Sequence, residues 1–149
     1  MIKIADALGG VSRIGIDTAP IIYFIESNSL YDSCVTPIFE MIEQGKITGV
    51  TSVISLTEVL TLPIKLGQTQ LYMQYRDLLM DSANLELIPV DRVIAERASL
   101  LRAQYGLRTP DAIQLAAAIE SGCEAFLTND SGLIRVTDIS VISLGDLTS

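Results

Sequence analysis

Apolar positions recur along the chain in short bursts of two kinds, and their alternation predicts strand and helix in turn. Ile14-Gly15-Ile16 is a short apolar run that stops at Asp17-Thr18; Pro20 then opens an apolar helical run through Ile21 to Ile25, ending near Glu26. Residues 30–44 carry Tyr31, Val35, Ile38, Phe39 and Ile42 at helical spacing until Gly45 stops them. Ile47 to Val50 reads as a second strand, followed by a helix that Thr51-Ser52 can cap and whose apolar positions are Val53, Ile54, Leu56, Val59 and Leu60. Thr51, Ser55 and Glu58 fall at i, i+4 and i+7, so Glu58 is the one charge on a narrow polar stripe of that helix. Residues 68–82 form a further helix, apolar at Leu71, Tyr75, Leu78 and Leu79 and polar opposite, which reads as a surface or partner-binding helix. A third strand spans 85–90, and Asp91 then caps a helix that runs to about Tyr105 and ends at Gly106.

Residues 108–130 carry the most complete set of signals. Thr109 can cap a helix, Pro110 suits its first turn, and Asp111 sits among the unpaired N–H groups there. The run 112–119 is almost wholly apolar, Gly122 closes the helix, and Ala125-Phe126-Leu127 reads as a buried strand ending at Thr128-Asn129-Asp130. A last strand spans 139–144 ahead of a polar tail, and residues 1–13 form an amphipathic lead-in, apolar at Ile2, Ile4, Ala5 and Leu8, that docks on the surface. Strand and helix alternating over short connections predict an α/β fold with a parallel sheet covered by helices on both faces. The 149 residues fit one domain, 1–149, long enough to bury roughly 68–70% of its unfolded surface without staples.

Composition narrows the chemistry. There is no histidine, which excludes Ser-His-Asp and Cys-His nucleophiles and His-ligated zinc. Cys34 and Cys123 form no paired motif, so structural zinc and a disulfide framework are not expected, and both read as ordinary core residues. What remains is carboxylate and hydroxyl oxygen, which suits hard cations such as magnesium or manganese. A net charge of −8 argues against nucleic-acid binding by bulk attraction, unless clustered acids hold divalent ions that reverse the local sign. No apolar run approaches the roughly 18 residues that cross a bilayer, and the expectation is a soluble, cytoplasmic protein.

Four acids stand out by position: Asp17 and Asp130 at strand ends, Asp111 at a helix start, and Glu58 on its stripe. In a parallel sheet the two strand ends emerge at one edge, where the early turns of helices also meet, and ligands bind at such edges. Each acid has an ordinary explanation as well. Asp17 and Asp111 can serve a helix start, and Asn129-Asp130-Ser131-Gly132 can be a plain turn, whereas Glu58 among Val, Leu and Ile needs a partner. Four carboxylates gathered in one crevice imply bound cations or raised pKa values.

The segments IDTAPIIYFIE, SLTEVL, TPDAIQLAAAIESG and FLTND, in that order, resemble the PIN-domain ribonucleases, and among them the VapC-type toxins of toxin–antitoxin pairs. The resemblance spans nearly the whole chain. It implies a three-layer α/β/α sandwich, a Mg²⁺- or Mn²⁺-dependent endoribonuclease, frequent homodimerisation, and a cognate antitoxin that blocks the site. Asp17, Glu58, Asp111 and Asp130 would be the acidic quartet that holds metal and performs catalysis, with Thr128 a neighbouring hydroxyl. On this basis Asp17 and Asp130 are assigned as direct ligands, Asp111 as ligand or outer partner, and Glu58 as ligand to a weaker second ion or orienter of water. Arg108 is the basic residue best placed to contact substrate phosphate, while Arg135 and Lys65 read as solvated surface charges. A phosphatase of the haloacid dehalogenase type would need an acid where Ala19 stands, and a receiver-type phosphoacceptor would need a lysine later than Lys3, Lys46 or Lys65. The remaining rival is a PIN scaffold without activity that binds RNA or protein, which would be marked by a broken quartet.

Overall fold

The computed structural model describes residues 1–149. It runs through β1 (Ile2–Lys3), α1 (Ile4–Ala7), β2 (Arg13–Ile16), α2 (Thr18–Ile25), α3 (Asp32–Glu43), β3 (Thr48–Ser52), α4 (Val53–Leu66), α5 (Thr69–Asp81) and β4 (Leu85–Ile88). There follow α6 (Arg92–Tyr105), α7 (Thr109–Glu120), β5 (Ala125–Thr128), a 3-10 turn at Ser131–Arg135, β6 (Ser140–Ser143), a second 3-10 turn at Leu144–Asp146, and β7 (Leu147–Thr148). Five strands pair in parallel in the order β4-β3-β2-β5-β6. With helices on both faces this is the α/β/α sandwich that the alternation of elements predicts.

The pleat divides the central strands between two cores. Ile14 and Ile16 of β2, with Ala125 and Leu127 of β5, join the larger cluster, which takes Ile21 from α2, Val35 and Ile38 from α3, Val59 from α4 and Tyr75 from α5. Phe126, one residue out of phase, points to the other side with Ile94 and Leu101 of α6 and Leu115 and Ala116 of α7. Between them the chain passes Gly15, where a Cβ would stand 2.5 Å from Ala118 Cβ and 2.9 Å from Phe126 Cδ1. The missing side chain therefore lets α7 lie directly against β2, two residues before Asp17.

Several boundaries differ from the sequence expectation by one or two residues, such as β3 running on through Thr51 and Ser52 and α2 starting at Thr18, and four differences have a clear local reason. The lead-in does more than dock: Ile2↔Leu147 and Lys3↔Thr148 pair in parallel as a small second sheet, and Ile4 and Leu8 enter the larger core. The expected polar tail supplies the other half of that sheet, with Leu147 buried. The third strand ends at Ile88 because Pro89 has no N–H to extend the ladder. Arg108, not Thr109, is the cap residue of α7, since its carbonyl accepts the first helical bond from Ala112 N–H at 3.0 Å and no side chain caps the turn. No helix is long and apolar enough to cross a membrane.

Candidate functional site

Asp17 stands where β2 gives way to α2. Its backbone N–H donates to Leu127 O at 2.9 Å, continuing the ladder one step past the strand. Its side chain caps α2, with Oδ1 accepting from Thr18 N–H at 2.9 Å, and Oδ2 accepts from the Thr128 hydroxyl at 2.8 Å. Burial pushes the Asp17 carboxyl above the ordinary carboxylate range, the two hydrogen bonds pull it back, and the nearby charges of Asp111 and Glu58 push it further up. Asp17 is thus at once an N-cap and a carboxyl whose charged form its burial disfavours.

The other three acids reach the same edge by separate routes. Asp130 follows β5 and caps the 3-10 turn, its Oδ1 accepting from Gly132 N–H at 2.9 Å, while its own N–H donates to Thr128 Oγ1 at 3.1 Å. Thr128 itself is fully buried, so its hydroxyl reaches Asp17 rather than the surface of the cleft. Asp111 lies in the first turn of α7 and pairs with Arg108, Nε to Oδ2 3.2 Å, the arginine side chain being 80% exposed and the aspartate 15%. Glu58 projects from α4 into solvent rather than sitting among apolar side chains, and its partner is Thr18, whose hydroxyl donates to Oε1 at 2.7 Å.

All four acids line one cleft of about 470 Å³, together with Arg108, Gln114 and Asn129. Lys65 and Arg135 lie outside it, and Arg135 donates instead to the carbonyls of Gly132 and Tyr105. The donors fit a hard divalent cation in kind, being carboxylate, carboxamide and hydroxyl oxygens with neither thiol nor imidazole among them. As the side chains stand, no three acids gather closely enough to make a ready ligand set. Asp111 is bonded to Arg108 through Oδ2 and Asp130 to its own turn through Oδ1, so an ion held by three of these acids would require them to draw closer together.

The floor of the cleft is a cluster of polar side chains whose link to Gln114 the sequence pattern does not single out. Gln114, Ser52, Ser55 and Thr18 are buried; Gln114 is bonded to each of the other three, and Thr18 is bonded to Ser55. The available signal was Gln114, a polar residue inside the apolar run 112–119 and three positions after Asp111, hence on the same helix face.

A family model described as PIN domain matches residues 14–139. Among solved structures, VapBC2 from Rickettsia felis bound to a DNA fragment from its promoter is 20% identical, with a TM-score of 0.69 over 88% of this chain and 98% of that one. A toxin–antitoxin complex from Klebsiella pneumoniae is 24% identical, with a TM-score of 0.64 over 89% and 98%. DNA-bound VapBC from Salmonella typhimurium is 16% identical, with a TM-score of 0.63 over 97% and 99%. No curated protein matches the chain at a significant level of sequence similarity.

Proposed function

Since this chain belongs to the PIN domain family, we propose that it is a divalent-metal-dependent endoribonuclease and the toxin of a toxin–antitoxin pair. The observation that carries the reading is the meeting of Asp17, Glu58, Asp111 and Asp130, drawn from four different elements, in a single cleft. PIN domains generally use divalent ions, and in a chain without histidine these carboxylates are the groups available for hydrolysis. The structural neighbours include a toxin–antitoxin complex and two DNA-bound VapBC assemblies, which supports an antitoxin partner for this chain too.

Asp17 and Asp130 would hold Mg²⁺ or Mn²⁺ directly, with Asp111 as ligand or outer partner and Glu58 toward a second, weaker ion or the attacking water. The ion would lower the pKa of a bound water and neutralise charge at the phosphoryl centre. Thr128 and Thr18 fix the carboxylates of Asp17 and Glu58 through hydroxyl hydrogen bonds, so these two acids need not reorganise as much on binding. Arg108, exposed beside Asp111, becomes free to meet a substrate phosphate once the aspartate turns to the ion. A bound cation also answers the acidity of the chain, because it makes the one cleft attractive to RNA while the rest of the surface repels it.

A second reading, a PIN scaffold without activity that binds RNA or protein, draws on the absence of a ready three-acid ligand set. Purified protein incubated with RNA and Mn²⁺ or Mg²⁺ separates the two. Cleavage that EDTA stops and Asp17→Asn abolishes is the expected result; RNA retained intact, or cut equally well in EDTA, rejects the proposed activity.

A further inference from the structure

Gln114 is 3% exposed, in the floor of the acidic cleft, and its hydrogen bonds have only one possible direction. Its Oε1 lies 3.3 Å from Ser52 N and 2.6 Å from Ser52 Oγ. A backbone N–H can only donate, so the carboxamide oxygen faces Ser52 and the NH₂ group faces the other way. That NH₂ donates to Ser55 Oγ at 2.6 Å and to Thr18 Oγ1 at 3.2 Å. Thr51 gives its own proton to Ile16 O at 2.8 Å, so the single proton of Ser55 goes to Thr51 in the 2.8 Å bond between them. Thr18 accepts from Gln114, and its single proton goes to Glu58 Oε1 at 2.7 Å, a carboxylate oxygen that can only accept and that lies nearer than Ser55 Oγ at 3.0 Å. No buried side-chain nitrogen or oxygen in the protein lacks a partner, so the cluster is fully hydrogen-bonded.

We infer that Gln114 is a positioning residue for the proposed metal-dependent cleavage: by donating to Thr18 it fixes that hydroxyl as a donor to Glu58 and holds the Glu58 carboxylate toward the cleft. The inference rests on the functional reading above. Glu58 is an exposed side chain on a helix, free on its own to sample several rotamers. The Gln114–Thr18 relay selects among them from inside the protein. It also joins three elements, α7 through Gln114, α2 through Thr18 and α4 through Glu58, so that the acid on α4 keeps its place relative to Asp17, the residue just before Thr18, and to Asp111, one turn before Gln114.

The test measures Mn²⁺ affinity of the full chain by calorimetric titration with the metal alone, beside kcat and KM for RNA, in Gln114→Met, Thr18→Val, Thr18→Ser and the double Gln114→Met/Thr18→Val. Loss of an outer partner of a metal ligand typically weakens binding about 10–100-fold, and that is the loss expected in Gln114→Met and Thr18→Val, with kcat falling and KM little changed. Thr18→Ser, which keeps the donor, restores the affinity lost in Thr18→Val. The double variant is no weaker than the worse single one, because both cut the same link. Melting in EDTA reports folding separately, and Thr18→Val leaves the Ser52–Gln114 bonds in place should Gln114→Met unfold. Variants that lower the melting temperature while leaving Mn²⁺ affinity and kcat unchanged would reduce Gln114 to core packing and overturn the inference, as would additive losses in the double variant. A wild type that binds Mn²⁺ without cutting RNA removes the proposed activity but leaves the affinity series to decide the role of Gln114; a wild type that binds no Mn²⁺ removes both.

Discussion

The hydroxyl of Thr128 donates to Asp17 Oδ2 at 2.8 Å across the seam between β2 and β5. Register makes the bond possible: Ile16 is paired with Leu127, so the residues that follow them stand side by side at the carboxyl edge. One residue of slip would turn Thr128 to the opposite face and leave Asp17 buried with one fewer donor.

Asp17 destabilises the metal-free fold, and the sign follows from its raised pKa. Below the ordinary carboxylate value the group is protonated in both folded and unfolded chains and exerts no penalty. As pH rises through that value and on to the raised folded one, the unfolded chain releases its proton first, so stability falls, and above the folded value the whole penalty stands. Asp17→Asn is expected to raise the melting temperature in EDTA at pH 7, by about 2–4 °C for each kcal/mol relieved, and to gain nothing near pH 3. Mg²⁺ should raise the wild-type midpoint and not that of the variant. Equal midpoints at pH 7 in EDTA would count against the burial penalty argued for this carboxylate.

Gly15 is a packing requirement. Gly15→Ala would drive a methyl to 2.5 Å from Ala118 Cβ, against a helix that cannot easily retreat, and a cost of about 1–3 kcal/mol is expected. Gly145→Ala is the control, since its Cβ would meet only Ser143 Oγ at 3.9 Å, and it should stay within about 0.5 kcal/mol of wild type. Chemical denaturation of the pair measures both, and equal midpoints would show that α7 can move off β2 at little cost.

Glu124 sets part of the acid limit. Its carboxylate accepts from Arg13 N–H at 2.8 Å and from both Ser12 N–H and the Ser12 hydroxyl, and these bonds hold its pKa below the ordinary range. The stability they bring is present above the ordinary glutamate value and is lost as pH falls through the lowered folded one. Glu124→Gln should therefore flatten the decline in unfolding free energy as pH falls below the ordinary glutamate value, while leaving its shape near pH 7 unchanged. An identical decline in the variant would show that other carboxylates carry it.

Cys123 is a free thiol near the end of α7, and burial raises its pKa to about 11, against the opposing pull of Arg13. Since the thiolate is the reactive form, a chromogenic disulfide reagent at pH 8 should react slowly with the folded protein. Cys34 is buried in the core, so two equivalents should be released only on unfolding. Rapid native release of one equivalent would contradict the burial of Cys123.

The legible parts of the fold were those written locally. Apolar bursts closed by Asp17 and Asp130 marked β2 and β5, because a buried parallel strand must be apolar throughout and polar only where it leaves the sheet. The Thr51–Ser55–Glu58 spacing marked a real stripe, with Thr51 and Ser55 in contact at 2.8 Å. The paired strands β1 and β7 left no trace, since two residues carry no periodicity and their partners lie at the far end of the chain. Gln114 was visible as a polar residue in an apolar run, but its partners Ser52, Ser55 and Thr18 are 62, 59 and 96 positions away, and no spacing rule reaches that far. Glu58 was read as enclosed by apolar neighbours because its helix is rich in them, yet Leu62, Ile64 and Leu66 of that helix are themselves exposed.

The bond between Asp17 and Thr128 joins residues 111 positions apart, and that separation orders events during synthesis. A growing chain displays Asp17 and Glu58 long before Thr128 and Asp130 have been added. Until then β2, destined for the middle of the sheet, has one open flank, and pairing that flank must wait for a late and distant segment. If the chain cuts RNA as proposed, it cannot do so during its synthesis up to that point, since the cleft is incomplete until Asp111 and Asp130 have been added.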